Sequence, residues 1–195
     1  KEGGVDVQFF AVWPNPDKYG NGQMYSQCNR MIDMLDEIIK NNPHKIVLAK
    51  SPLEIENAIE AKKIAACVGV EGGTGIENDI EKLIEFYNRG VRYLGLTWND
   101  SPDWATSAQD EVSSKFEGKK GLTDFGEKVI KKMNELGMII DVSHSGETTF
   151  YDVLKNTQKP IIASHSCVYS IAAHYRNLKD DQIKALAKNE GVIFI

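Results

Sequence analysis

Short runs rich in Val and Ile alternate along this chain with longer segments of helical period, and that rhythm admits few folds. The runs fall at residues 5–13, 46–49, 65–70, 91–97, 138–142, 161–164 and 192–195. Apolar runs this short, bounded by polar turn residues, suit strands buried on both faces. Between the first two, Cys28, Met31, Ile32, Leu35, Ile38 and Ile39 trace the i, i+3, i+4, i+7 stripe of a helix, which Asn41-Asn42-Pro43 stops. Ser51-Pro52-Leu53-Glu54 reads as a capping box with Pro at the first helical position, so a helix is predicted to run to about Lys63. Further helices are predicted over residues 80–89, 123–136, 148–155 and 180–189, and Gly90, Gly137 and Gly191 close three of them.

Strands that alternate with helices and are apolar on both faces form a parallel sheet covered by helices. Such a sheet is either open and doubly wound or closed into a (β/α)8 barrel. No GxGxxG or GxxxxGK[ST] follows any strand, which removes the commonest reasons for the open form. Residues 98–121 make a long polar excursion after the carboxyl end of a strand, where barrels carry their active-site loops. The expected fold is therefore α/β, a (β/α)8 TIM-type barrel. Six βα-type strands are readable, two short of closure. The expectation is a single barrel domain over residues 1–195, incomplete at both ends and lacking the first and last strands.

Composition excludes several classes. The chain is 42% hydrophobic and 26% charged, the ordinary balance of a globular protein. A net charge of −5 with interleaved signs argues against a nucleic-acid partner, which needs a concentrated basic face. No run approaches the ~18 apolar residues of a membrane span, and the opening residues carry no apolar leader pattern. Cys28, Cys67 and Cys167 are odd in number, far apart and set in apolar runs. Buried free thiols in a reducing, cytoplasmic compartment are the expectation.

Reactive side chains gather where strands end. The run at 66–70 finishes in Glu71 and two glycines; that at 138–142 leads to His144; that at 161–164 leads to His165. Parallel strands share one direction, so these ends meet on one rim. Each residue alone has an ordinary structural reading: a hydrogen-bonded His, or a Glu beside a helix N-terminus. Together, two of only four histidines stand at equivalent places in consecutive units, with a third unit ending in Glu. Carboxylate and imidazole donors without thiolate suit zinc or another divalent ion in an open, catalytic site. Asp141 reads as a buried acceptor behind the ligands, His44 as a solvated turn residue and His174 as a loop residue at a pocket rim.

The motifs Gly69-Val70-Glu71-Gly72-Gly73, Gly90-Val91-Arg92-Tyr93-Leu94, Leu96-Thr97-Trp98-Asn99, Gly121-Leu122-Thr123-Asp124-Phe125-Gly126, Ile140-Asp141-Val142-Ser143-His144, Ser164-His165-Ser166 and Arg176-Asn177 resemble, in order, those of the membrane (renal) dipeptidase family. The resemblance implies a binuclear zinc site that hydrolyses dipeptides through a metal-activated bridging water. It implies that Glu71 is catalytic and bridges two Zn2+ ions, and that His144 and His165 ligate the second of them. Arg176 takes the place of the arginine that grips the substrate carboxylate, a role its planar fork suits. Trp98 stands where the renal enzyme has a substrate-contacting His; bacterial members carry Trp there, which sets the expectation of a bacterial source. The family's His-x-Asp pair and its catalytic Asp are expected before Lys1 and beyond Ile195. The substrate implied is a small dipeptide and the assembly a homodimer, with Mn, Co or Fe as possible replacements for zinc. Two readings stay open beside it: another metal-dependent amidohydrolase acting on a lactone, ester or cyclic amide, and a non-catalytic barrel remnant.

Overall fold

In the computed structural model, which describes residues 3–20 and 22–195, the strand Ile64–Glu71 organises the rest. In chain order the elements are β1 (Val7–Val12), α1 (Met24–Asn41), β2 (Ile46–Leu48), α2 (Pro52–Glu60), β3 (Ile64–Glu71), a 3-10 turn (Gly73–Ile76), α3 (Ile80–Asn88) and β4 (Val91–Gly95). There follow α4 (Ala108–Val112), α5 (Asp124–Leu136), β5 (Ile139–Asp141), α6 (Glu147–Asn156), β6 (Ile162–Ala163), α7 (Asp180–Lys188) and β7 (Val192–Ile193).

Every strand pairing is parallel, and the sheet order is β1-β3-β4-β5-β6-β7. A doubly wound sheet reverses its strand order at a switch point; this one never does, which is the order of a barrel wall. The architecture is the α/β, partial TIM-type barrel expected. β2 is an extra strand: it pairs residues 46–48 with residues 64–66, and β4 takes over that flank of β3 from Val68 onward. Among the described residues, β1 and β7 each have one strand partner.

Alternation along the strands divides the molecule. Val68, Val70, Leu94 and Ile140 join Ile32, Leu83, Phe86, Ile130 and Met133 in the main core between sheet and helices. The opposite face carries Gly69, Glu71, Tyr93 and Asp141. A Cβ at Gly69 would overlap the Tyr93 ring, so glycine there lets the ring lie across β3 and tilt onto Phe9 at 5.7 Å between centroids. A small cluster of Ala49, Ala58, Ala65 and Cys67 closes that face under α2.

Local signals acted with three differences. The Ser51 hydroxyl accepts the Glu54 N–H at 3.2 Å, but Glu54 reaches back to the Lys50 N–H at 2.5 Å, one residue before the cap. α2 ends at Glu60, because Lys62 turns left-handed at φ 55°. Gly90 and Gly137 close their helices at φ 105° and 74°. After α7 it is Glu190 that takes positive φ, at 61°. Gly191 answers a different demand, since a Cβ there would meet the Ile161 carbonyl oxygen at 2.5 Å. The excursion at 98–121 contains α4 and bridges back to the β5 end through Ser107 and Ser145. Among the described residues no helix is long and apolar enough to cross a membrane.

Candidate metal centre

Strand register builds the site. Glu71 pairs with Gly95, Gly95 with Asp141 and Asp141 with Ile162, a row across four strand ends. Glu71 lies on that row, and His144 and His165 stand three residues past its members Asp141 and Ile162. The three side chains converge: His144 Nε2 lies 3.2 Å and His165 Nε2 3.4 Å from Glu71 Oε1, with 3.0 Å between the two nitrogens. A tetrahedral ion with bonds of ~2.0–2.1 Å has ligand-to-ligand edges of about 3.3 Å. The observed triangle fits such an ion, and one ligand atom from each residue lies within 4.8 Å of the others.

His144 takes φ 67°, a left-handed conformation uncommon for a residue with a Cβ. The Ala108 N–H bonds the His144 carbonyl at 2.7 Å and holds it there. Nothing in the sequence announces that conformation. Behind the imidazoles stand two groups to which the sequence assigned no part. Asn99 Oδ1 is 3.0 Å from His144 Nδ1, and Ser164 Oγ is 2.7 Å from His165 Nδ1. Asp141 is buried as an acceptor, as expected, taking the Ser143 and Ser164 N–H groups at 3.0 Å each.

Burial pushes the Glu71 carboxyl up, but hydrogen bonds and charge from His144 and His165 more than offset it and hold the group at about 2. Burial draws His144 below its ordinary value, against the opposing hydrogen bond from Glu71. The Arg176 charge also acts on His144, and Glu71 and Asp141 act on Arg176, so the guanidinium shares the electrostatics of this rim. Arg176 lines a cleft of about 220 Å³ with Val142, Ser145, Tyr169, His174 and Tyr175. Among the described residues its Nη1 is buried without a hydrogen-bond partner. The three converging residues are not part of that cleft's lining. Trp98 lies beside the site, 4.9 Å from the Trp13 ring and 6.2 Å from the His144 ring.

The remaining expectations divide. His44 is exposed in its turn, and His174 is exposed at the cleft rim. Cys28 and Cys67 are buried, and burial drives the Cys28 thiol up to about 12. Cys167 is exposed, a correction to its expected burial: it lies in the turn region after β6, outside the core.

The family model described as membrane dipeptidase (peptidase family M19) matches residues 1–195. Dipeptidase 3 of Mus musculus is 41% identical over 195 residues, all of this chain and 38% of that protein. Dipeptidase 3 of Homo sapiens is 36% identical over 156 residues, 78% of this chain and 32% of that protein. The chain spans about a third of the length of the curated relatives it matches. The crystal structure of the probable dipeptidase PvdM from Pseudomonas aeruginosa has a TM-score of 0.87 at 24% identity, covering 96% of this chain and 49% of that one. A metallopeptidase from Rhodobacter sphaeroides, liganded with a phosphinate mimic of the dipeptide L-Ala-D-Ala, has a TM-score of 0.86 at 22% identity, over 98% of this chain and 61% of its own. At these identities the structural likeness speaks to the fold.

Proposed function

The chain belongs to the membrane dipeptidase family, peptidase family M19, and from that premise we propose that it supplies much of the active site of a zinc-dependent dipeptidase. The observation that carries the reading is the triangle of Glu71 Oε1, His144 Nε2 and His165 Nε2, with edges of 3.0–3.4 Å. Glu71, His144 and His165 would hold zinc, with Glu71 shared between two ions. Zinc so held supplies a Lewis acid for the scissile carbonyl and lowers the pKa of a water.

The chain's own groups do the rest. Glu71, kept ionised by the imidazoles facing it, provides a fixed negative charge at the strand end. Arg176 presents an unpaired Nη1 for the carboxylate of the dipeptide, and two parallel N–H donors fix that carboxylate in one plane. Trp98, packed on Trp13, walls the side next to His144, and its indole N–H is a donor and not a base. Hydrolysis adds OH to the carbonyl carbon and a proton to the departing amine. The chain is read as part of one barrel domain acting as a homodimer. The free thiols of Cys28, Cys67 and Cys167 are compatible with a reducing setting.

The test is Glu71→Gln in the full protein, with metal content and dipeptide turnover measured together. Loss of both is expected. A variant with full zinc content and unchanged turnover removes the assignment.

A further inference from the structure

Donor counting points to the nitrogen of each imidazole that carries its proton. Asp141, 2% exposed, offers a carboxylate that can only accept. It takes the Ser164 hydroxyl at 2.5 Å, which uses the one hydrogen that hydroxyl owns. Toward His165 Nδ1, at 2.7 Å, Ser164 Oγ is therefore an acceptor, and Nδ1 must donate. His165 Nε2, the atom turned to Glu71, is left as a bare lone pair. His144 reaches the same state through an amide: its Nδ1 faces Asn99 Oδ1 at 3.0 Å and donates to it. The Ser107 hydroxyl donates to the Asn99 carbonyl at 2.7 Å and anchors that residue's backbone. While the rings are neutral, two Nε2 lone pairs face the carboxylate oxygen, an arrangement completed by a cation: a metal ion, or a proton on Nε2 that makes the imidazole a donor to Glu71.

We propose that Asn99 and the Asp141–Ser164 pair are positioning residues of the metal centre, locking His144 and His165 in the tautomer whose Nε2 atoms are free to ligate. The proposal rests on the reading of Glu71, His144 and His165 as metal ligands. Outer partners of this kind typically govern ~10–100-fold in metal affinity. They act on the ligands and not on the substrate, so their loss appears in binding of the ion alone.

The experiment titrates the metal-free full protein with Co(II), following the visible spectrum and chelator competition. Asn99→Ala and Ser164→Ala are expected to weaken binding at this site at least tenfold and to change the visible band. Asn99→Asp, which keeps an acceptor opposite Nδ1, is expected to stay within tenfold of the wild type. Circular dichroism melts identify folded variants; if Asn99→Ala does not fold, the near-isosteric Asn99→Leu replaces it. An alanine variant within tenfold of the wild type, or an Asp variant as weak as the Ala one, overturns the proposal. A wild-type protein that binds no Co(II) overturns instead the underlying assignment of a metal centre.

Discussion

Arg176 is half-buried, and its Nη1 lies buried without a hydrogen-bond partner among the described residues, a costly state unless something binds it. A dipeptide offers a carboxylate; a lactone or cyclic amide offers no matching charge. Arg176→Ala is thus expected to raise KM for a dipeptide by at least tenfold, on the order of the 1.5–3 kcal/mol of a hydrogen bond to a charged group. An unchanged KM in steady-state kinetics favours a neutral substrate. Glu71 and His144 make a second prediction, for the metal-free protein. His144 is depressed below its ordinary 6.5 in the folded state, so the unfolded chain binds that proton more readily and stability falls as pH drops through that value. Glu71 is depressed from 4.5 to about 2, so its contribution is present above 4.5 and is lost as pH falls toward 2. Both act in one direction: Tm should decline from pH 7.5 to 5.5 and further below 4.5. His144→Asn should flatten the upper range, and melting curves with the same slope in that variant contradict the assignment.

Elements rest on packing that the sequence displays unevenly. Helical stripes and strand runs were legible because their periods follow from burial: Ile32, Leu35, Val68 and Val70 all entered the core. Glu71, His144 and His165 were legible for a related reason, since parallel strands deliver their ends to one rim. What stayed hidden depends on contacts far apart in sequence. The left-handed turn at His144 is held by Ala108, and Ser164 matters through Asp141, neither of which a local pattern reveals. Gly69 belongs to the same class: within its motif it reads as one glycine among several, while in the structure it admits Tyr93. Gly69→Ala is expected to destabilise by about 1–3 kcal/mol or more through overpacking. Adding Tyr93→Ala removes the obstructing ring, so the double variant should lose much less than the sum of the singles. Additive losses in urea denaturation deny the contact.

At the scale of the whole molecule, two strands with short pairings, β5 and β6, converge with the longer β3 on one point. β5 and β6 share a single register pair, Asp141 with Ile162, and β6 is two residues long. Backbone pairing this sparse leaves side chains to hold the strand ends together. Apolar surface is also exposed at both edges of the sheet, at Phe9 in β1 and at Val192 and Phe194 in and after β7. An ion held by Glu71, His144 and His165 would tie β3 to the ends of β5 and β6 across a long stretch of chain. It would bind the folded state and find no formed site in the unfolded one. Stability should therefore rise with free zinc by about 2.7 kcal/mol at a concentration 100-fold above Kd. Tm measured in the full protein should climb with the logarithm of zinc concentration and fall on chelation. The same titration of Glu71→Gln should be flat, because removing the shared carboxylate leaves two imidazoles that cannot hold the ion against water. A Tm indifferent to zinc in the unaltered protein would mean that the strand ends are held by their own packing, and the triangle at the rim would then be a hydrogen-bonded cluster.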